Sequence, residues 1–388
     1  MTMKTELRHL HAGEMQALSR LLNTAFTGDP DSRHFEDGLP KMWVDDEEHM
    51  ARHIAIFEDG VMAGAVGIYP YDARIGEKTL RFATVGNIGV LREYRGRGYM
   101  QQLMEAAMDA LAAQKIDVSR LGGLRTRYER YGYEMCGTNY IIRLSKRNAE
   151  EAYPGGTDIT FQPLSEGDST ALAFVRALYS ASAIACDRGD DRDLYKTLCA
   201  WKNKPYLAYK NDTLIGYLCT SPDGTSLAEH GAMDAPLHTE MLCAWVRGMD
   251  AYEVRAEVYP WDAALSRSVM AICETFTASP ATQCKILSWD RLTDALLGLK
   301  AQTTPLPHGR VTLGIRDWGT LVMEVMADSA SAYRSTDIPN DNLDPLTATR
   351  MLFGMTPPAL CASLTEESMR LLSAWLPLPF SWNGQDRV

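Results

Sequence analysis

A short apolar run that leads into a loop rich in glycine and arginine, and then directly into a helical pattern, constrains this chain most. The apolar run covers residues 85–90, and the loop contains Arg95, Gly96, Arg97 and Gly98. After the loop, apolar residues recur at the i, i+3, i+4 and i+7 spacing of one helix face. They are Met100, Leu103, Met104, Ala107, Met108 and Leu111. The pattern predicts a strand, a loop and a helix, with the loop at the N-terminal end of the helix.

The chemistry of this loop favours an anionic ligand. The first backbone N–H groups of a helix have no partner within the helix, and the helix dipole favours negative charge there. Two glycines allow a close backbone approach, and two arginines add fork-shaped donors. The spacing matches neither the nucleoside triphosphate loop Gly-x-x-x-x-Gly-Lys-Ser/Thr nor the dinucleotide fingerprint Gly-x-Gly-x-x-Gly. A surface turn that only caps an ordinary helix is the alternative.

The order Arg-x-x-Gly-x-Met from Arg95 to Met100 resembles the pyrophosphate loop of the GCN5-related N-acetyltransferases (GNAT), which bind acetyl-CoA. That family usually has Gly or Ala where this chain has Met100. The flanking pattern also matches, because a helical stripe over residues 15–26 precedes a predicted hairpin at Asp59–Gly60 and a strand over residues 79–90. The order β-α-β-β-β-α is that of the acetyltransferase fold.

The resemblance assigns the cofactor-binding residues. It implies that backbone groups of Ile88, Gly89 and Val90 pair with the pantetheine arm, and that amides from Gly96 to Gln101 hold the pyrophosphate. It also implies a splay between this strand and its neighbour, which frees an N–H to polarise the thioester carbonyl. The cofactor-binding candidates are Ile88, Gly89, Val90, Arg95, Gly96, Arg97, Gly98, Tyr99, Met100 and Gln101.

With 388 residues the chain is too long for one such domain. Residues 57–66 and 209–218 both read as strand, polar turn and strand, with Gly64 and Gly216 at the same offset. The loop after the second copy, residues 234–238, has no glycine and arginine cradle. The sequence predicts an acetyl-CoA-binding domain over 1–146 and a degenerate acetyltransferase-like domain over 147–285. An unrelated α+β domain is the alternative for the second.

Residues 286–388 have a different order of predicted elements from the two preceding segments. A short helix from Leu292, a hairpin around Asp317–Gly319 and helices over Pro345–Phe353 and Glu366–Trp375 are predicted, with residues 341–345 as a polar linker. Helix, hairpin, helix resembles a sterol-carrier-protein-like domain. The three parts in this order resemble the enhanced intracellular survival (Eis) family. The predicted fold class is α/β (α+β), with tandem acetyltransferase-fold domains, mixed central sheets and the sterol-carrier-protein-like α+β domain.

The resemblance also supplies catalytic and substrate residues. Tyr128 matches the general acid of the family's tyrosine-containing turn, and a reference pKa near 10 keeps a tyrosine protonated at pH 7. The α-carboxylate of Val388 is the candidate base, although a carboxylate needs burial or a water relay to take a proton from an ammonium. Phe26 and Trp43 would line the amine pocket. Core packing is the alternative for Tyr128, Phe26 and Trp43, and a frayed end for Val388.

The composition of the chain limits the kinds of partner and the location that we expect. A net charge of −11 argues against nucleic acid and is compatible with a cationic substrate, or simply with solubility. We expect a cytoplasmic location and no membrane partner, because no apolar run approaches the ~20 residues of a membrane span. The eight cysteines show no Cys-x-x-Cys pair and are expected to be reduced. His49 and His53 run into a predicted strand, so no metal is expected.

The predicted function is transfer of an acetyl group from acetyl-CoA to a primary amine of a cationic small molecule, aminoglycoside-like, or of a lysine. A homo-oligomer, hexameric by resemblance, is expected. The alternative is a non-catalytic acyl-CoA sensor or lipid-binding protein, because cofactor binding does not require turnover.

Overall fold

The computed structural model describes residues 4–386, and its first part has the predicted order of elements. The strands are β1 (Thr5–His9), β2 (His53–Glu58), β3 (Val61–Ile75), β4 (Lys78–Val90), β5 (Val118–Leu121) and β6 (Glu134–Ser145). The helices are α1 (Met15–Thr27), α2 (His34–Gly38), α3 (Glu47–Met50), α4 (Tyr99–Ala113) and α5 (Arg125–Tyr128). The helix α1 buries Leu18, Leu21 and Leu22, as its helical stripe predicts.

The predicted β2–β3 hairpin turns at Asp59 and Gly60, whose φ angles are 50° and 85°. Both residues are in the left-handed region, as in the two-residue turn that matches the twist of antiparallel strands. Glu58 and Val61 pair directly across the turn. An Asp-Gly dipeptide accepts this backbone because glycine has no Cβ and aspartate tolerates the conformation.

The second part, residues 146–286, repeats much of the order of strands and helices of the first. Its helices are α6 (Lys146–Ala152), α7 (Ser169–Ser180), α8 (Asp191–Leu198), α9 (Ala235–Gly248) and α10 (Ala263–Met270). Its strands are β7 (Ile159–Pro163), β8 (Ile184–Cys186), β9 (Lys204–Lys210), β10 (Thr213–Thr220), β11 (Ser226–Ala232), β12 (Glu253–Val258) and β13 (Thr275–Ile286). The turn between β9 and β10, at Asn211 and Asp212, again has two positive φ angles.

One mixed sheet joins the two copies. Its order is β1-β2-β3-β4-β5-β13-β6-β12-β11-β10-β9-β7, and β8 pairs with β3. The order is nearly symmetric about β13 and β6, and each half contains one parallel pair, β4 with β5 and β11 with β12. Because β13 lies between β5 and β6, the last strand of the second copy completes the sheet of the first. The domain limits at 146/147 and 285/286 stay predictions.

The third part is a separate four-stranded sheet with helices. Its strands are β14 (Gly309–Ile315), β15 (Gly319–Val325), β16 (Ala330–Ser335) and β17 (Asp341–Leu343), in the order β16-β15-β14-β17. Its helices are α11 (Trp289–Thr303), α12 (Pro345–Phe353), α13 (Pro358–Cys361) and α14 (Glu366–Trp375). Among residues 4–386 the structure has no helix that is long and apolar enough to cross a membrane.

The linker predicted for residues 341–345 is wrong. Asp341–Leu343 forms β17, which pairs in parallel with β14. Asp341 is buried and accepts hydrogen bonds from the backbone N–H of Thr365 at 2.7 Å and from its hydroxyl at 3.0 Å. Thr365 occupies the expected N-cap position of α14, but its hydroxyl is used by Asp341 and Ser368 instead of capping the helix. Tertiary hydrogen bonds therefore satisfy a segment that looks polar in sequence.

Candidate active site

The strands β4 and β5 separate in the first copy. They pair in parallel only from Phe82 with Val118 to Val85 with Leu121. Beyond Val85, β4 continues to Val90 alongside β3 alone, and β5 ends at Leu121. A bulge in β4 marks the point of separation, since the register with β3 shifts there and Asn87 has a φ of 51°. The splay that the resemblance implied is therefore observed.

The open edge of β4 offers polar backbone groups. Leu91 N donates to Ala63 O of β3 at 3.0 Å. Because hydrogen-bonding direction alternates along an antiparallel strand, the N–H and C=O of Val90 face away from β3. The Val90 carbonyl accepts a hydrogen bond from Arg95 Nε at 3.3 Å. An extended, amide-containing ligand arm can pair with this edge as a further strand would.

The glycine and arginine loop is shaped by its backbone. Gly96 and Gly98 both have a φ of 80°, and a Cβ at either position would meet nothing within 4 Å. The glycines are therefore required by the left-handed conformation, and the space beside them is open. The helix α4 begins at Tyr99 with Gly98 as a cap that has no side chain. Its first amides, those of Tyr99 and Met100, have no partner within the helix, whereas Gln101 N already donates to Gly98 O at 3.1 Å.

The loop side chains hold the loop and leave its backbone to a ligand. The Arg97 guanidinium pairs with Glu58 at the end of β2 and donates to Glu93 O at 3.2 Å. The Tyr99 hydroxyl also donates to Glu58. Hydrogen bonds from Tyr99 and then Arg97 lower the pKa of the Glu58 carboxyl. The charge of Arg97 is thus partly committed within the protein, while the Arg95 side chain is exposed.

Tyr128 is the last residue of α5, which follows β5, the strand on the other side of the splay from β4. It is buried in the same core as Tyr99 and Val85, and Ile88, Val90 and Met100 pack against that core. A Cβ on Gly123, which follows β5, would lie 3.0 Å from the Tyr128 ring. Burial raises the pKa of Tyr128, so its hydroxyl stays protonated and can donate. Tyr133, by contrast, is fully buried and bonds Ser119 at 2.7 Å.

Two cavities lie beside β4, and Thr84 lines both. One has a volume of about 410 Å³ and is lined by Arg120, Gly122, Gly123 and Trp201 among others. The other, here called the acceptor cavity, has a volume of about 70 Å³ and is lined by polar and aromatic groups from both copies and from the end of the chain. Its lining includes Lys41, Tyr69, Tyr71, Thr84, Arg188, Gln385 and Asp386.

An aromatic chain leads from Phe26 to the acceptor cavity. The Phe26 ring, 54% exposed, lies edge-on to Phe35 with centroids 5.0 Å apart, and Phe35 contacts Trp43 at 6.2 Å. Trp43 contacts His53, which contacts Tyr69. Trp43 is half-buried, and its indole nitrogen is buried without a hydrogen-bond partner among residues 4–386. Neither Phe26 nor Trp43 is among the residues that line the cavity itself.

Hydrogen bonds orient Tyr69 at the cavity wall. Asn87 Nδ2, on the β4 bulge, donates to the Tyr69 hydroxyl at 2.6 Å, and His53 Nε2 lies 2.8 Å from that hydroxyl. Burial lowers the pKa of His53 to about 4, so the ring is neutral at pH 7. With its Nδ1 proton directed to His49 O at 3.2 Å, His53 accepts from Tyr69. Through the hydrogen bond from Asn87 to Tyr69, the bulge in β4 links the splay to the wall of the acceptor cavity.

The last described residues form a strap that crosses to the first copy; we use this name for residues 378–386. Trp382 is buried against Phe82 of β4, with ring centroids 4.7 Å apart. The guanidinium of Arg120, on β5, lies 5.0 Å from the Trp382 ring and donates to Asp386 O at 2.8 Å. The strap therefore packs against both strands of the splay.

A buried ionic cluster fixes the end of the strap. Arg188 donates to Asp386 at 2.8 Å and to both oxygens of Glu229, at 2.8 and 2.6 Å. The Tyr179 hydroxyl donates to the other Asp386 oxygen at 2.7 Å. The two carboxylates raise the pKa of Arg188 against the effect of its burial. Val388 lies two residues beyond Asp386, outside the described residues.

Trp201 is a site residue that sequence reasoning missed. Its φ of 59° is unusual for a bulky residue, and Lys202 beside it has a φ of 63°. The ring is 43% exposed, lies 3.3 Å from the Cβ position of Gly38 and lines the 410 Å³ cavity. Nothing in the local sequence predicts that the second copy places a strained aromatic residue beside the cleft of the first.

Comparisons with known proteins agree with this geometry. The acetyltransferase (GNAT) domain family matches residues 6–136. No curated protein matches the chain. Among solved structures, a GCN5-related N-acetyltransferase from Kribbella flavida is similar with a TM-score of 0.69 at 17% identity, covering 96% of each chain. A probable N-acyltransferase from Enterococcus faecalis V583 gives 0.69 at 15% identity, covering 97% of this chain and 98% of that one.

Eis1 from Mycobacterium abscessus gives a TM-score of 0.68 at 18% identity, covering 98% of this chain and 99% of that one. At such low identity these likenesses show the fold, and they show it over the whole chain. The mixed α/β fold predicted from sequence is thereby confirmed. Together, the domain match and the shared fold support a GNAT-type acetyltransferase domain in the first third of this chain.

Proposed function

We propose that this protein is an N-acetyltransferase that moves an acetyl group from acetyl-CoA to a primary amine. The observation that carries the proposal is the combination, in the first copy alone, of splayed strands with an uncapped helix and an open glycine loop. In the second copy, Asp234 caps α9 by accepting from Leu237 N at 2.8 Å, and Pro236 removes a further N–H. One acetyl-CoA site per chain follows.

The residues of the first copy fit the cosubstrate. The amides of the loop and of the first turn of α4 would hold the pyrophosphate. The edge of β4 that faces away from β3 at Val90 would pair with the amide-containing pantetheine arm, in place of the hydrogen bond from Arg95 Nε to Val90 O. Acetyl-CoA supplies the activated acetyl group as a thioester. In the proposal, a backbone N–H at the splay polarises the carbonyl, and Tyr128 donates the proton that the departing thiolate needs.

In the proposal, the reacting amino group of the acceptor enters the acceptor cavity, whose volume of about 70 Å³ admits that group but not a whole aminoglycoside. Asp386 lies there, but its carboxylate is committed to Arg188 and Tyr179, so we assign it a positioning role. In a protein that ends at Val388, the α-carboxylate two residues further along would be the base. The series of aromatic rings from Phe26 supports a cationic amine, either aminoglycoside-like or a lysine, and the net charge of −11 is compatible with one. Both remain parts of the proposal.

The test is amine-dependent release of free CoA thiol, measured with acetyl-CoA and a panel of aminoglycosides and lysine peptides. We expect Tyr128→Phe to retain acetyl-CoA affinity and to lower kcat at least ~100-fold. Tyr131→Phe is the matched control, because the Tyr131 hydroxyl accepts an exposed hydrogen bond from the neighbouring Arg130 at 2.9 Å. Unchanged turnover in Tyr128→Phe would remove that residue from its role. If wild-type protein released no thiol with any amine but bound acetyl-CoA, the sensor alternative would replace the enzyme.

A further inference from the structure

The second copy has a splay and a cavity of its own. The strands β11 and β12 pair only at Ser226 with Arg255 and Leu227 with Ala256, although β11 continues to Ala232 and β12 to Val258. A cavity of about 360 Å³ lies where they separate, and Gly231, Ala232 and Tyr259 line it. This volume falls in the range of small-molecule sites. The capped N-terminus of α9 argues against a phosphate-bearing ligand here.

The wall of this cavity is aromatic and acidic. Four aromatic residues line it, and one carboxylate but neither lysine nor arginine is among its lining residues. Tyr259 and Trp261 present stacked rings, with centroids 4.9 Å apart and planes inclined by 7°. The other two are Tyr179 and Tyr217. Aromatic faces attract cations through their quadrupole. The Arg188 guanidinium already lies 3.5 Å from the centroid of the Tyr179 ring, so the attraction of a further cation rests on Tyr259 and Trp261.

Asp262 supplies the carboxylate. One of its oxygens accepts from Leu265 N at 3.0 Å and caps α10. No ion pair to Asp262 is recorded within residues 4–386, and burial raises the pKa of its carboxyl. A cation in the cavity would offset that cost, because opposite charges attract more strongly where water is excluded.

A histidine pair at the wall of this cavity adds no charge. His230 lines the cavity, and its Nδ1 lies 2.7 Å from His238 Nε2. Burial lowers the pKa of His230 to about 4, against a hydrogen bond with the Glu257 backbone that raises it. Burial also lowers the pKa of His238. Both rings are therefore neutral at pH 7 and do not repel a cation.

We propose that the cavity of the second copy binds a small organic cation, a protonated amine, between Asp262 and the wall that Tyr259 and Trp261 form. This site is separate from the acetyl-CoA cleft and does not depend on acetyl transfer. The cavity adjoins the strap. Asn383 of the strap lines the cavity, and so does Tyr179, whose hydroxyl donates a hydrogen bond to Asp386.

The test is titration of ¹⁵N-indole-labelled protein, without acetyl-CoA, with phenethylammonium and with the neutral phenethyl alcohol. The Trp261 indole signal is assigned by its loss in Trp261→Phe. We expect this signal to shift with the cation, and the alcohol to bind at least ~10-fold more weakly. Asp262→Asn, which keeps a good helix cap, should weaken the cation at least ~10-fold.

Asp234→Asn is the matched control, since Asp234 caps α9 but does not line the cavity. It should bind the cation as wild type does. The proposal is overturned if Trp261 does not shift, if the alcohol binds as well as the cation, or if Asp262→Asn and Asp234→Asn behave alike. Because no acetyl-CoA is present, each of these results leaves the proposed acetyl transfer untouched.

Discussion

Loss of the Arg188 guanidinium from the buried ionic cluster should both lower the free energy of unfolding and disorder the acceptor cavity. In Arg188→Met, the buried carboxylates of Glu229 and Asp386 lose the cation that bridges them; their side chains are 0% and 6% exposed, and that of Arg188 is 2% exposed. Breaking a buried pair by deleting one partner costs about 3–5 kcal/mol. Here two carboxylates are left unpaired, so we expect a loss at the upper end of that range.

Urea unfolding followed by circular dichroism measures this loss. Arg20→Met is the matched control, because Arg20 and Asp31 form an exposed pair at 2.9 Å with side chains 56% and 76% exposed, and such pairs contribute less than about 1 kcal/mol. Because Asp386 lines the acceptor cavity, Arg188→Met should also lower kcat/KM for the amine more than it weakens acetyl-CoA binding. Equal stability losses in the two variants would refute the reasoning that the cluster anchors the strap.

Two further predictions concern the wall of the acceptor cavity and the 410 Å³ cavity beside it. The pKa of His53 is about 4 in the folded protein against a reference value near 6.5, so the unfolded chain binds more protons between these values. The free energy of unfolding should therefore fall by up to about 3 kcal/mol as the pH drops from 6.5 to 4. His53→Gln should lessen that fall, as urea unfolding at several pH values would show. If the free energy of unfolding depends on pH equally in the variant and the wild type, the prediction is contradicted. If the amine also contacts the 410 Å³ cavity, which Trp201 lines, Trp201→Ala should raise KM for a cationic amine up to ~10-fold with little change in kcat. Steady-state kinetics that show no change in KM would exclude that cavity from the amine site.

Local chemistry made part of this structure predictable. The Asp59–Gly60 turn and the Gly96 and Gly98 loop follow from residues that tolerate a positive φ more readily than most, and α4 follows from its apolar period. The C-terminal helices α12 and α14 begin and end where predicted. In each case neighbours in sequence determine the conformation.

The remainder depends on distant partners. The short strand β17 is polar, and its Asp341 is satisfied by Thr365, 24 residues away. Residues more than 100 positions apart determine where β13 lies, between β5 and β6. The same holds for the packing of the strap against Phe82. The role of Val388, the sterol-carrier-protein-like character of the third part, the cytoplasmic location and the hexamer stay predictions.

The central claim, that the first copy holds one acetyl-CoA on its glycine loop, is tested most directly by calorimetric titration with acetyl-CoA. Wild-type protein should bind one molecule per chain, and the double variant Gly96→Ala, Gly98→Ala should bind at least ~10-fold more weakly, because both sites need a positive φ. Gly76→Ala is the control, since Gly76 also has a positive φ and open space but lies at the far end of β4. Two molecules per chain, or equal affinity in the double variant and wild type, would contradict the account.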